Sequence, residues 1–255
     1  MPDAVAERAR KLPTLRAYLA ALAAAVLLPA LGVGAAAVWT AVQGQRAAFE
    51  NGLRDTARAL AAAVDAEVAG VGAALAAFVT SPAFGPDPAA PDLAAVDAQA
   101  RRIAGRIGAA LYLARRDGTR LVTTRAPGGT PLPPLAGREL VERVFATRRP
   151  ALGNLVIGSV SGVPTIALGV PVFDQAGQVV LMAGASFDAT RLSDLLAARG
   201  RDGAAFAALV DAADVIVARS RDHDRFVGQR VLDWVLTGTQ GREGGLMHGP
   251  KPPRR

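Results

Sequence analysis

Hydrophobic positions follow three successive patterns along the 255-residue chain. From Ala17 to Val42 no charged residue occurs, and Arg8, Arg10, Lys11 and Arg16 cluster just before that run. A helix needs about 20 apolar residues to cross a hydrocarbon core of roughly 30 Å, so the run is long enough to span with some tilt. Leu19, Leu22, Val26, Leu27, Leu28, Leu31, Val33 and Val38 each favour insertion by roughly 0.3–0.6 kcal/mol. No Asp, Lys or Arg opposes them at about 2.5–3.5 kcal/mol each. Tyr18 and Trp39 fall near the two ends, where amphipathic rings prefer the interface, and Pro29 is tolerated inside a span. The pattern predicts a cytoplasmic basic N-terminus over 1–16, a transmembrane helix over 17–42 and an exported remainder. A cleaved signal peptide would share the charged start and the small residues Ala35–Ala37, but its apolar core is normally 7–15 residues. A buried soluble helix is normally shorter and rarely so free of charge.

The second pattern has helical spacing. Phe49, Leu53, Leu60, Val64, Val68, Val71, Leu75 and Phe78 recur at steps of three, four or seven, with Arg46, Arg54, Asp55, Arg58, Asp65 and Glu67 between them. This predicts a stalk helix over 43–80. A helix from Gln43 to Val79 would be about 55 Å long at 1.5 Å per residue, stopped by Ser81-Pro82. Such a stalk can pack on its own domain at one end and pair with a second copy at the other. Ser81 to Pro91 reads as a Pro-rich loop. Asp92 is placed to cap a further helix whose apolar face is Leu93, Val96, Ile103 and Ile107.

The third pattern is strand–turn–strand, three times over. Ala109 to Arg125 turns at Asp117-Gly118, Thr165 to Ser186 turns at Asp174–Gly177, and Ala204 to Ser220 turns near Asp211–Asp214. Asp-Gly between apolar runs is a hairpin signal, although the third turn has Ala213-Asp214 where Gly is expected. Arg138 to Thr147 and Thr190 to Ala198 read as helices, the latter with Leu192, Leu195 and Leu196 on one face. The fold class is therefore α+β: a long helix, then an antiparallel sheet flanked by helices.

Composition narrows the compartment. There is no cysteine, which excludes disulfides, thiolate catalysis and Cys-ligated zinc. An exported domain without disulfides must rely on its apolar core, and 51% hydrophobic residues can supply one. That suits a bacterial envelope protein, anchored by one pass in the inner membrane with its domain in the periplasm. The net charge of +7 and pI near 11.0 do not indicate a nucleic-acid partner. Nearly every basic residue is Arg, and the arginines are interspersed with acids rather than gathered in a stripe.

Catalytic chemistry is not visible. His223 lies in a polar loop and His248 in a Gly/Pro-rich tail, and neither has a nucleophile partner in the pattern. There is no His-Glu-x-x-His, Walker loop or dinucleotide fingerprint. Gly158-Ser159-Val160-Ser161-Gly162 does not fit a nucleophile elbow, because its central residue is Val160; it reads as a turn into the central strands. The acidic pairs sit in hairpin turns, where Asp supports the backbone. No enzyme activity, cofactor or metal ion is expected. The alternatives to a sensor are an anchored envelope interaction protein and, less well supported, an anchored hydrolase.

Four segments carry a family resemblance: LRDTARALAAAVDAEV, RELVERVFATRRP, VPVFDQAGQVVLMAGASFDATRLSDLL and VDAADVIVARSRDHDRFVG. In this order, from Leu53 to Gly241, the chain resembles the extracytoplasmic Cache sensor domain (double-Cache, PAS-like) of bacterial sensor histidine kinases and related receptors. The resemblance implies a membrane-distal sensor subdomain over 81–199 and a partial membrane-proximal subdomain over 200–245. It also implies a homodimer through the stalk and membrane helices, and a small-molecule ligand, often a carboxylate or amino acid. The resemblance places Tyr112, Arg125, Arg149, Ser159 and Ser186 around the ligand pocket. Arginine forks bind carboxylates bidentately, which suits Arg125 or Arg149. Amino-acid-binding members usually carry an Asp in the last strand near the position of Ser186, a departure that argues against an α-amino-acid ligand. Family members continue into a second span and an output domain, so the chain reads as truncated before its kinase, with 246–255 a disordered tail.

Overall fold

The structure is a computed structural model that describes residues 15–199 and 206–239. It divides into two units, residues 1–53 and 54–255. The described part of the first unit is entirely helical and belongs to helix α1 (Leu15–Val79). Among the described residues, Leu22, Val26, Leu27, Leu28, Leu31, Val33, Val38 and Trp39 are apolar and 59–71% exposed. Among the described residues α1 is the one helix long and apolar enough to cross a membrane. The stretches expected as span and stalk are thus one helix, with Pro29 inside it. The basic cluster before Leu15 and the tail over 246–255 lie outside the described residues.

The second unit is α+β, as the pattern predicts. Strands β1 (Ala110–Ala114), β2 (Arg120–Thr123), β3 (Ala151–Leu152), β4 (Val156–Ile157), β5 (Pro164–Phe173) and β6 (Val179–Asp188) form one antiparallel sheet. The spatial order is β2-β1-β6-β5-β3, and β4 shares the outer edge of β5 with β3. Each expected turn forms around an Asp. The Oδ1 of Asp117 accepts from the Thr119 backbone N–H at 2.8 Å, and that of Asp174 accepts from Gln178 at 2.7 Å. The Thr119 contact holds the Asp117 carboxyl below its ordinary range. Gly118 and Gly177 close the two turns with positive φ, the conformation that glycine takes without steric cost.

Strand alternation sends residues to two different cores. On one face Leu111, Leu113, Val122, Leu168, Val170, Leu181, Ala183, Ala185 and Phe187 meet α1, α2 (Leu93–Ile107) and α4 (Ala189–Arg199). The helices contribute Val71, Leu75 and Phe78 from α1, Val96 and Ala100 from α2, and Leu192 and Leu196 from α4. Burying a side chain such as Leu75 or Phe78 is worth about 1.5–3 kcal/mol each, so this face supplies most of the stability. The other face is narrower. Tyr112, Ala114 and Met182 pack on Leu140, Val141 and Val144 of α3 (Arg138–Thr147), with Leu135, Phe145, Ala151 and Ala167 at the margin.

Capping sets the helix ends. Asp92 Oδ1 accepts from the N–H groups of Ala94 and Ala95 at the start of α2, as its sequence position predicts. Gly108 ends α2 in the left-handed conformation. The Ser81–Pro91 segment differs from a simple loop. It carries a 3-10 turn over Pro82–Phe84 that buries Phe84 edge-on against Phe78, with ring centroids 5.3 Å apart. A separate hairpin, β7 (Ala208–Val210) and β8 (Ile216–Arg219), adds Val217 and Ala218 to the main core. Its strands are shorter than the Ala204–Ser220 expectation. The missing turn glycine is replaced by Asp214 at φ 62°, a conformation Asp tolerates better than most residues. His223 begins a one-turn helix, α5 (His223–Phe226), rather than lying in a loop, and Arg219 is held between the rings of Phe206 and Phe226. A short helix, α6 (Asp233–Thr239), follows.

Candidate functional site

The narrow face of the sheet extends beyond the cover of α3, and a cavity of about 70 Å³ forms there. Its floor is Tyr112, Thr123, Thr165, Ala167 and Ser186; its roof is the 135–137 segment, the first turns of α3 and the 153–161 segment. The volume is far below the roughly 300–1,000 Å³ of drug-sized pockets and suits a compact ligand.

Two glycines create this geometry. A Cβ on Gly184 would fall 2.1 Å from Tyr112 Cζ, so the Tyr112 ring lies across β6 only because position 184 has no side chain. A Cβ on Gly169 would fall 2.8 Å from Met182 Sδ and 3.2 Å from Val144 Cγ2, so α3 approaches β5 closely for the same reason.

Arg120 enters the site through a β-bulge. The β1–β2 register runs Tyr112 opposite Thr123 and Leu113 opposite Val122, then skips Leu121 to set Arg120 opposite Ala114. The extra residue turns Leu121 and Val122 both toward the main core and brings Arg120 onto the same face as Tyr112 and Thr123. There its Nη2 donates to Ser159 Oγ at 3.1 Å, and the guanidinium stands 5.9 Å from the centre of the Tyr112 ring. Among the described residues its Nε and Nη1 are buried without a hydrogen-bond partner. Burial pushes the Arg120 pKa down and nearby Arg125 adds to that, while Tyr112 opposes it. Burial likewise pushes the Tyr112 phenol well above its ordinary range, partly offset by Arg120.

The other polar groups are largely committed. Arg125 donates Nη2 to Asp188 Oδ1 at 2.6 Å and lies 3.5 Å from Ser186 Oγ through Nε. Ser159 Oγ donates to the Pro134 carbonyl at 2.9 Å, tying the two roof segments together. Arg143 donates to the Leu152 carbonyl at 3.1 Å, and Asn154 Nδ2 donates to the Glu139 carboxylate at 3.4 and 3.5 Å.

Four of the five residues expected around a pocket, Tyr112, Arg125, Ser159 and Ser186, therefore line this one cavity. Arg149 does not. Arg148 adopts φ 57° at the end of α3, which turns the chain away, and Arg149 is exposed at the opposite end of the helix from Glu139 and Leu140. Sequence reasoning missed Arg120, Thr123, Asn154 and Thr165. It also missed Asp188, an acid two residues beyond Ser186 on the same face of β6, whose carboxylate is taken by Arg125.

No family model matches the chain, and no curated protein matches it significantly. Solved structures do. The ligand-binding domain of the amino-acid chemoreceptor PctB of Pseudomonas aeruginosa PAO1, in complex with L-Gln, matches with a TM-score of 0.56 and 16% identity over 72% of this chain and 73% of that one. That of PctC from the same organism, in complex with GABA, gives 0.54 and 18% over 73% and 82%. That of Tlp3 of Campylobacter jejuni, with 4-methylisoleucine, gives 0.54 and 14% over 66% and 68%. At these identities the likeness is one of fold: an α+β architecture shared with chemoreceptor ligand-binding domains.

Proposed function

We propose that the chain carries the extracytoplasmic small-molecule sensor of a membrane receptor anchored through α1. The observation that carries this reading is Arg120, a guanidinium with two buried, unpartnered nitrogens lining a small cavity on a sensor fold. A guanidinium charge at the wall of a small cavity favours an anionic ligand there. The ligand is anionic, with Arg120, Tyr112, Arg125, Ser159 and Ser186 around it. The solved neighbours bind amino acids or GABA, which supports the small-molecule class.

The charge-free part of α1 is the membrane anchor, with its N-terminus in the cytoplasm by the basic flank. Residues 81–199 are the membrane-distal sensor subdomain and 200–245 part of a membrane-proximal one. Ligand binding favours one arrangement of a dimer formed through α1 and passes the bias inward. The sequence resemblance favours a histidine-kinase output; the solved neighbours favour a chemotactic one. The test is thermal unfolding of the full chain in nanodiscs against a panel of carboxylates, amino acids, amines and sugars. A stabilising shift with an anionic compound is expected. No shift with any compound, from folded protein, overturns the reading.

A further inference from the structure

We propose that Arg125, Asp188, Arg191 and Glu67 form a partner-exchange switch: an anion that takes Arg125 frees Asp188 to take Arg191, and Arg191 then lets go of Glu67 on α1. The inference rests on the sensor reading above and gives the regulation of the same site.

The four side chains make two ion pairs on one route out of the cavity. Arg125, in the cavity wall, donates Nη2 to Asp188 Oδ1 at 2.6 Å. Asp188 is the last residue of β6 and α4 begins at the next residue, so Arg191 follows in the first turn. Residues so placed at a helix start are neighbours. Arg191 Nη2 in turn donates to Glu67 Oε1. Arg125, Asp188 and Arg191 all line the open cleft outside the cavity, so Asp188 shares that cleft with both arginines.

The two pairs are alike in solvation. The side chains of Arg125 and Asp188 are 22% and 39% exposed, and those of Arg191 and Glu67 are 35% and 25% exposed. Pairs so similar exchange at little net cost, and a small gap is what a two-state element needs. An anion in the cavity supplies the bias, because it draws the Arg125 guanidinium inward and away from Asp188.

The exchange acts on one helix and spares another. Arg191 Nη1 donates to the carbonyls of Ile107, at 2.8 Å, and Gly108 at the end of α2, and these bonds do not involve Nη2. Arg191 therefore stays on α2 while Nη2 changes partner. Around Glu67, Leu60, Val64, Val68 and Val71 of α1 pack on the main core. Such contacts are non-directional and tolerate a small shift, whereas an ion pair to one oxygen fixes the helix position. α1 is one helix from Leu15 to Val79, so release of Glu67 acts on the element that carries the charge-free run.

Thermal unfolding of the full chain in nanodiscs tests the exchange without a ligand. Arg125→Met frees Asp188 and so stands in for an occupied Arg125. Glu67→Gln is expected to lower the melting temperature of the parent by about 2–3 °C, and that of Arg125→Met by less than about 1 °C, because there Arg191 has already turned to Asp188. Adding Asp188→Asn to Arg125→Met removes the competing acid, and the full Glu67→Gln loss is expected to return. Arg125→Gln, which keeps a polar end without the charge, is expected to repeat the cycle. Hydrogen exchange is the second readout: α1 amides around Glu67 are expected to exchange about threefold faster in Arg125→Met than in the parent, and at the parent rate once Asp188→Asn is added. An equal Glu67→Gln loss in the parent and in Arg125→Met overturns the inference, since the freed carboxylate has then gone to the N–H groups that open α4 or to water. A loss that does not return with Asp188→Asn overturns it too, as does parent-like exchange in Arg125→Met. The cycle contains no ligand, so its failure leaves the sensor reading in place, whereas a compound panel without any shift removes that reading whatever the cycle shows.

Discussion

Asp188, the last residue of β6, accepts a hydrogen bond from Arg125 at 2.6 Å, so the strand that floors the cavity also neutralises one of its two guanidiniums. Arg125 and Ser186 line both the inner cavity and the open cleft outside it, which places the ion pair at the boundary between the two. Its two side chains are 22% and 39% exposed, so its contribution to stability falls in the range of partly solvated pairs, about 0–1 kcal/mol. Its larger effect is on charge.

Asp188→Asn therefore separates charge from stability. It releases Arg125 into the cavity without removing volume. Anion binding is expected to tighten by about three- to tenfold while the melting temperature changes by less than about 4 °C. Calorimetry and thermal unfolding of the same preparation check both. Unchanged binding would mean that Arg125 does not face the ligand.

Gly184→Ala tests the placement of the Tyr112 ring. The added Cβ would lie 2.1 Å from Cζ and 2.4 Å from the hydroxyl, so the ring must swing into the cavity. Overpacking of this kind costs about 1–3 kcal/mol. Because the clash is with one side chain, Tyr112→Val in the same chain should recover most of the loss. Additive destabilisation in the double variant would locate the strain elsewhere.

Arg191 is the corresponding test for the main core. From the first turn of α4 it donates to the carbonyls of Ile107 and Gly108 at the end of α2, and to Glu67 of α1. One side chain thus ties three helices together. A Cβ on Gly108 would lie 2.6 Å from its Nη1, and φ there is +62°, so glycine is required beneath it. Arg191→Ala leaves two carbonyls and a carboxylate without their donor. A loss of about 2–3 kcal/mol is expected, read from denaturant unfolding, with Glu67→Ala costing less because the carbonyl bonds survive.

Much of this arrangement is legible in the residues. α3 occupies Arg138–Thr147, the expected range, because its polar and apolar positions alternate cleanly and it ends before Pro150. The first two hairpins follow from Asp and Gly at their turns. What the sequence conceals is geometry with no residue signature. The bulge at Leu121 reverses the face of Arg120, and a strict two-residue period carried back from Thr123 points Leu121 into the site instead. Arg149 is misplaced for a related reason: the left-handed backbone that diverts it belongs to Arg148, which is neither Gly nor Asn. Asp188 lies two residues beyond Ser186, where the strand is expected to end, and its pairing with Arg125 is a tertiary contact across 63 residues.

Tyr112 gives a prediction in pH. Burial holds its phenol protonated above the ordinary range, whereas an unfolded tyrosine ionises near pH 10. Above about pH 10 the unfolded chain releases this proton and the folded one does not, so stability falls by up to about 1.4 kcal/mol per pH unit. Below pH 9 the group contributes no slope. Tyr112→Phe should remove that alkaline limb, seen as a stability difference from the parent that is flat to pH 9 and then shrinks. Parallel curves through pH 11 would show that the phenol titrates normally in the folded state.

Arg120 sets ligand binding against stability. Two buried, unpartnered nitrogens cost about 1–3 kcal/mol each in typical sites, and the Nη2 bond to Ser159 returns about 1 kcal/mol. The ring contact at 5.9 Å from Tyr112 returns about 0.5–1 kcal/mol more. Replacing the guanidinium with an unbranched apolar chain removes all of these terms together and leaves no buried donor behind. Arg120→Met is therefore expected to stabilise the ligand-free protein by about 1 kcal/mol, a rise of roughly 2–4 °C in melting temperature for a domain of this size. The same variant should show no further rise on adding a carboxylate that stabilises the parent. A lower melting temperature in Arg120→Met would mean that the guanidinium is a structural element satisfied by water.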